Sequence, residues 1–267
     1  PTRRSSDLAV LLAIVLAAVL ATCNGLSSAQ LAAAHPVSGG TYEYGHRLIG
    51  PNVGFTAGWM FLIAKSASAA TAALGCAGYL ANAIGWNAGG WSEVLVAEAI
   101  VLLIGVLVLS GLRRSNALNA LVVTITIAAL LIFSLSLLPI VVERGGEHWR
   151  PFFGGAGADE SFAAGLLQAT ALMFVAYTGY GRIATLGEEV REPGRTIPRA
   201  VIVTLIAALA LYALVAVAAA GAVGAGVLAE STEGAASPLA AVAEAAGKPW
   251  IRFAIDIGAV TAMLGVL

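Results

Sequence analysis

Long apolar runs, each about the length of a bilayer crossing and each followed by a short polar connector, fix the kind of fold this chain can adopt. A membrane-spanning helix needs about 20 mostly apolar residues. Seven runs meet that need: 9–34, 53–84, 92–112, 117–142, 161–187, 200–223 and 249–267. Hydrocarbon offers no hydrogen bonds, so each run must bond its own backbone, and helices are the form that does this. Composition points the same way. Hydrophobic residues make up 59% and charged residues 11% of the chain, against roughly a quarter charged in a soluble domain. The expected fold class is an all-α polytopic membrane protein, multi-pass in the cytoplasmic membrane. A net charge of -1 gives no basic surface for a nucleic-acid partner. Cys23 and Cys76 both lie in apolar runs and read as packing residues. His35, His46 and His148 are scattered, so no metal or cofactor is expected.

The ends read differently from the rest. Pro1 to Leu8 resembles a translated sequencing adapter and is set aside as foreign to the fold. The last run stops at Leu267 without a polar flank. The expectation is therefore a single transmembrane domain over 9–267, cut at both ends. Connectors 35–50, 113–116 and 187–199 share one side and hold six cationic residues: Arg47, Arg113, Arg114, Arg191, Arg195 and Arg199. The other side holds four: Arg144, Arg150, Lys248 and Arg252. The excess places the first group in the cytoplasm.

One run is interrupted. Tyr177-Thr178-Gly179-Tyr180-Gly181 puts two glycines within three residues, and glycine costs about 1 kcal/mol against alanine inside a helix. The stretch reads as a break in a spanning helix that resumes for about two turns, then ends in the charged turn Glu188 to Pro193. Carbonyls freed from Phe174 to Tyr177 and amides after Tyr180 would hold a small charged solute. The plainer alternative is a kinked packing helix with no ligand.

Charges inside other runs are costly and need a reason. Lys65 lies about a dozen positions into the second run. It serves either substrate or coupling, as a positive charge where a coupling cation would sit, or it clamps loosened backbone. Glu98 is either paired or near an interface, and Asp256 lies near the outer end of the last run. Gly54 and Gly58 have the spacing of a small-residue helix contact. The connector before them, with Pro36, Gly39, Gly40, Gly45, Gly50 and Pro51, reads as an interfacial loop. Gly224 to Lys248 reads as an outer loop holding a short alanine-rich segment.

Three segments, PVSGGTYEYGHRLIGPNVGFTAGW, FVAYTGYGRIATLGEEVREPGRTIPRA and GAVTAMLG, together resemble the amino acid–polyamine–organocation permease superfamily, above all its bacterial amino acid permeases. The resemblance implies a leucine-transporter-like inverted-repeat fold, with the visible spans as helices two to eight of about twelve. It implies substrate at mid-membrane, between broken first and sixth helices. Carried over by position, Val175, Ala176 and Tyr177 would offer carbonyls to a substrate amino group. Thr178, Gly179 and Tyr180 would line the break, with aromatic rings as a lid. Ser66 and Ser68, beside the coupling candidate Lys65, would form the opposite wall. Glu188, Glu189, Arg191 and Arg195 would form a cytoplasmic gate, the acids pairing with the arginines. Many relatives have an acid directly after the Gly-aromatic pair, where this chain has Gly181, so a coupling carboxylate there is unsupported.

The implied function is secondary active transport of amino acids by alternating access, proton-coupled or by exchange. The partners would be an amino acid substrate, the bilayer, and protons or a counter-substrate. No acidic cluster suits a polyamine, which favours neutral or mixed amino acids; a cationic substrate stays open through Glu98 or Asp256. Rival readings are a non-transporting sensor or scaffold of the same fold and a membrane-embedded enzyme. Against the enzyme, the chain lacks a Gly-x-Ser-x-Gly motif, metal-ligand spacing and paired intramembrane aspartates.

Overall fold

A computed structural model describes residues 7–37, 39–86, 90–109, 116–143, 162–185, 188–234 and 237–267. All but the last residue of the basic turn read at 113–116, all but the first residue of the polar loop read at 143–160 and most of the segment set aside at 1–8 lie outside the described residues. The described helices are α1 (Asp7–Ala34), α2 (Thr41–Leu48), α3 (Pro51–Ala83), α4 (Trp91–Leu109), α5 (Asn116–Glu143) and α6 (Phe162–Tyr177). A 3-10 segment follows over Thr178–Thr185, then α7 (Pro193–Gly234), α8 (Pro238–Ala245) and α9 (Ile251–Val266). Among the described residues, six helical stretches are long and apolar enough to cross a membrane: Val10–Ala34, Pro51–Ala81, Trp91–Leu109, Asn119–Glu143, Phe162–Thr185 and Pro193–Gly224. The run expected at 249–267 forms α9, of 16 residues.

The chain divides into two compact units, with α3 parted between Ala64 and Lys65 and α7 between Ala216 and Val217. The first unit holds α1, α2, the start of α3, α6, the 3-10 segment and the first half of α7. Its core runs along one stripe of α1: Ile14, Ala17, Ala18, Ala21, Ala29 and Ala32 are all buried. The stripe is almost all alanine for a physical reason. Lipid tails are as apolar as leucine, so spanning helices associate through close packing, which small side chains permit. Gly25 of α1 is closely approached by its neighbours. A Cβ there would lie 3.1 Å from Val201 Cγ1, 3.3 Å from Leu205 Cδ1 and 3.4 Å from Tyr180 Cδ2. At this point α1 meets both α7 and the 3-10 segment.

The connector expected as a loop contains a two-turn helix, α2. Its glycines lie mostly outside the helix, and the residues between them, TYEYGHRL, carry their own support. Glu43 and Arg47 pair one turn apart, and the Tyr42 ring stacks on His46. The helix is seated in the notch made by Gly54 and Gly58 on α3. A Cβ on Gly54 would stand 2.6 Å from the His46 backbone nitrogen, and one on Gly58 would stand 2.9 Å from Tyr42 Cδ2. The other face of α2 meets the 3-10 segment. Tyr44 is buried, its hydroxyl donates a long bond of 3.5 Å to the Ala184 carbonyl, and burial pushes its phenol up from the ordinary tyrosine range.

In the second unit α5 packs along α9. A Cβ on Gly258 would overlap the Ala129 methyl, and the Thr126 and Thr261 hydroxyls meet at 3.1 Å. Farther along α5, Phe133 and Leu137 are fully buried. Ala73 and Ala77 of α3 pack with Ala97 of α4. Most of the remaining α4 surface is exposed and apolar, including Leu95, Leu102, Leu103 and Val106, a surface suited to hydrocarbon rather than water. At its far end α7 does not stop at Val223. It turns at Gly224, whose φ of 81° is natural only to glycine, and continues to Gly234. The alanine-rich segment read from the sequence is α8.

Candidate functional site

The site grows from the end of α6. The α-ladder stops at Tyr177 and a 3-10 segment takes over. An α-helix bonds each amide to the fourth carbonyl back, and a 3-10 helix bonds it to the third. A switch from one to the other skips a carbonyl at the junction. Two hydroxyls come to the carbonyls there. Thr178 Oγ1 donates to the Val175 carbonyl at 2.7 Å. Tyr212, reaching across from α7, donates to the Ala176 carbonyl at 2.9 Å.

The two tyrosines of the interruption turn inward. Tyr177 is 3% exposed; its hydroxyl donates a long 3.4 Å bond to the Ile14 carbonyl of α1, and its ring meets Tyr212 edge-on at 5.1 Å. Tyr180 is also buried and packs with α1 and α7 near Gly25. Val175, Ala176, Thr178 and Gly179 are exposed. A Cβ on Gly179 or Gly181 would meet no atom within 4 Å. One side of the junction is thus anchored by aromatic rings, and the other is open along bare backbone. The sequence predicts resumption as helix for two turns; it resumes as 3-10. The paired glycines weaken the α-ladder, and Thr178 bonding three residues back favours the tighter turn.

Of the residues singled out from sequence, Val175 to Tyr180 therefore share one junction. Lys65, Ser66 and Ser68 stand on α3 in the second unit, all exposed, within the span Pro51–Ala81. Glu188, Glu189 and Arg191 lie on the turn into α7 and Arg195 in its first turn, all four exposed. That turn is tied to the helix start: the Arg195 and Thr196 amides donate to the Glu192 carbonyl, and Thr196 Oγ1 donates to the Arg191 carbonyl at 2.9 Å. Glu192 holds a φ of 49°, uncommon outside glycine.

Sequence reasoning missed Tyr212 and the Ile14 carbonyl. Tyr212 did carry a signal. It is the only tyrosine in the run 200–223, and a phenol inside hydrocarbon needs an acceptor. Ile14 carried none, because the chain does not announce which backbone carbonyl a distant phenol will reach.

A family model described as "Amino acid permease" matches residues 4–267. An uncharacterized transporter of Mycobacterium tuberculosis is 39% identical over 100% of this chain and 56% of its own length. A branched-chain amino acid permease of Bacillus subtilis is 27% identical over 96% of the chain and 56% of its length. A methylthioribose transporter of the same organism is 26% identical over 74% of the chain and 44% of its length. The chain thus spans about half the length of these relatives.

Proposed function

The chain belongs to the amino acid permease family, and from that premise we propose that it serves secondary transport of amino acids across the cytoplasmic membrane by alternating access. The observation that carries this reading is the α-to-3-10 junction inside the span Phe162–Thr185, with the Val175 and Ala176 carbonyls beside open backbone at Gly179 and Gly181. An amino acid brings an ammonium group into a region where fixed charge is expensive. Backbone carbonyls accept that group without a buried carboxylate. The apolar setting favours a neutral side chain.

Transport would be proton-coupled or run by exchange. Lys65, with Ser66 and Ser68 near it on α3, is the coupling element in this reading, and Glu188, Glu189, Arg191 and Arg195 are the cytoplasmic gate. Both assignments rest on the sequence resemblance. Lys65→Ala is expected to change the pH profile of uptake; a profile matching the wild type would reduce Lys65 to a structural role.

Counterflow tests the function itself. Purified protein in liposomes preloaded with one neutral L-amino acid should accumulate the same labelled amino acid from outside. Binding without counterflow would favour a sensor or scaffold. Counterflow of a thioribose sugar in place of amino acids would move the substrate class and remove the role given to an ammonium group.

A further inference from the structure

We propose that Tyr212 is a placeholder: its hydroxyl occupies the Ala176 carbonyl when the site is empty and leaves when a substrate ammonium group arrives. The inference rests on the transport reading above and goes beyond it, because it assigns a residue on a different helix to the control of affinity.

Three observations lead there. First, the two hydroxyls at the junction come from different places. Thr178 bonds Val175 from within the same segment, whereas Tyr212 bonds Ala176 from 36 residues away, on α7. Only the second can be lost by moving one helix against another. Second, the two tyrosine bonds differ in access. The Tyr177 bond to Ile14 is buried, and the Tyr212 bond to Ala176 is exposed. A solute arriving beside Gly179 would reach the second and not the first. Third, the Tyr212 ring has a support that does not depend on its hydroxyl. Tyr177 meets it edge-on at 5.1 Å and 72°, a favoured aromatic geometry. The ring stays seated while the hydroxyl bond is made or broken.

The chemistry then gives a direction. A bare carbonyl in apolar surroundings is costly, so the empty site gains from a neutral donor. An ammonium donor makes a charge-assisted bond about twice as strong as a neutral one. The ligand therefore wins the exchange, yet displaces a bond to do so, and binds more weakly than it would at an uncapped carbonyl. In a carrier this has a use: the hydroxyl returns as the amine departs, so release does not leave the carbonyl bare.

The test is Tyr212→Phe, which keeps the ring and removes the hydroxyl. The readout is equilibrium binding to purified wild-type and variant protein of the neutral L-amino acid with the strongest counterflow, beside the carboxylic acid that has hydrogen in place of its amine and so no donor at that position. Affinity for the amino acid is expected to rise about 2- to 10-fold, the loss of one competing neutral hydrogen bond. Affinity for the deaminated acid should not change. A residue that only packs would give unchanged or weaker binding, and either result for the amino acid overturns the proposal; so does an equal gain for both ligands. Should the phenylalanine variant fail to fold, Tyr212→Leu also lacks the hydroxyl and must show the same selective gain. The two readings fail differently. If wild-type protein binds no amino acid, the transport reading falls and the placeholder with it. If wild-type protein binds and the variant ratio is flat, the placeholder alone falls.

Discussion

Gly179→Leu, introduced into the protein expressed from its own gene, is expected to abolish amino acid uptake while leaving the protein in the membrane. A Cβ at Gly179 would have no heavy atom within 4 Å, so the added side chain meets open space rather than a packed neighbour. Folding therefore has little reason to fail. The same space is what a ligand needs to approach the Val175 and Ala176 carbonyls. Leucine also favours the helix over glycine by nearly 1 kcal/mol, which pushes the junction back toward a continuous α-ladder. Occlusion and repair of the break act in one direction. Uptake by membrane vesicles should drop at least about tenfold, which asks for only about 1.4 kcal/mol at the site, while the amount of inserted protein stays level. Normal uptake at normal abundance would remove the site from this junction.

Gly54→Val is expected to do the opposite: to damage the fold first and transport through it. The Cβ would lie 2.6 Å from the His46 backbone nitrogen and 2.7 Å from its Cα. These are backbone atoms of α2, and no rotamer change can clear them. From the other side, a Cβ on Gly45 would stand 3.1 Å from the Gly54 Cα, so the two helices touch backbone to backbone. Forcing a branched side chain between them should cost about 1–3 kcal/mol. A lower thermal midpoint in detergent and faster proteolysis within Thr41–Leu48 would show it. The effect should reach the 3-10 segment, since Tyr44 of α2 bonds the Ala184 carbonyl and a Cβ on Gly40 would press on Thr185. A variant as stable as the wild type would mean that α2 is not held in this notch.

These two glycines differ in how visible they were. Gly54 and Gly58 have a recognisable spacing, and the structure seats α2 on them. Gly179 is visible as a weak point in a spanning helix, and the α-helix does end two residues before it. Other features were hidden. The connector 36–51 looked like a loop because its glycines and prolines dominate the local pattern, yet Glu43 and Arg47, one turn apart, support a helix inside it. The run 200–223 looked complete at Val223, yet α7 passes Gly224 with a kink, since a single residue at positive φ redirects a helix without ending it.

The sequence by itself determined that this chain is a set of apolar helices, that one of them is weak between Tyr177 and Gly181, and where the expensive charges lie. Those are local matters, settled by run length, glycine placement and the cost of charge in hydrocarbon. Only the tertiary structure decided what meets the weak point. Tyr212 reaches Ala176 from α7, and Tyr177 reaches Ile14 on α1. Pairings between distant segments depend on how helices rotate and slide against one another. In a bilayer that choice is made by close contact between small residues, such as Gly25 against Val201. Such contacts leave almost no trace in a sequence where alanine and glycine are found nearly everywhere.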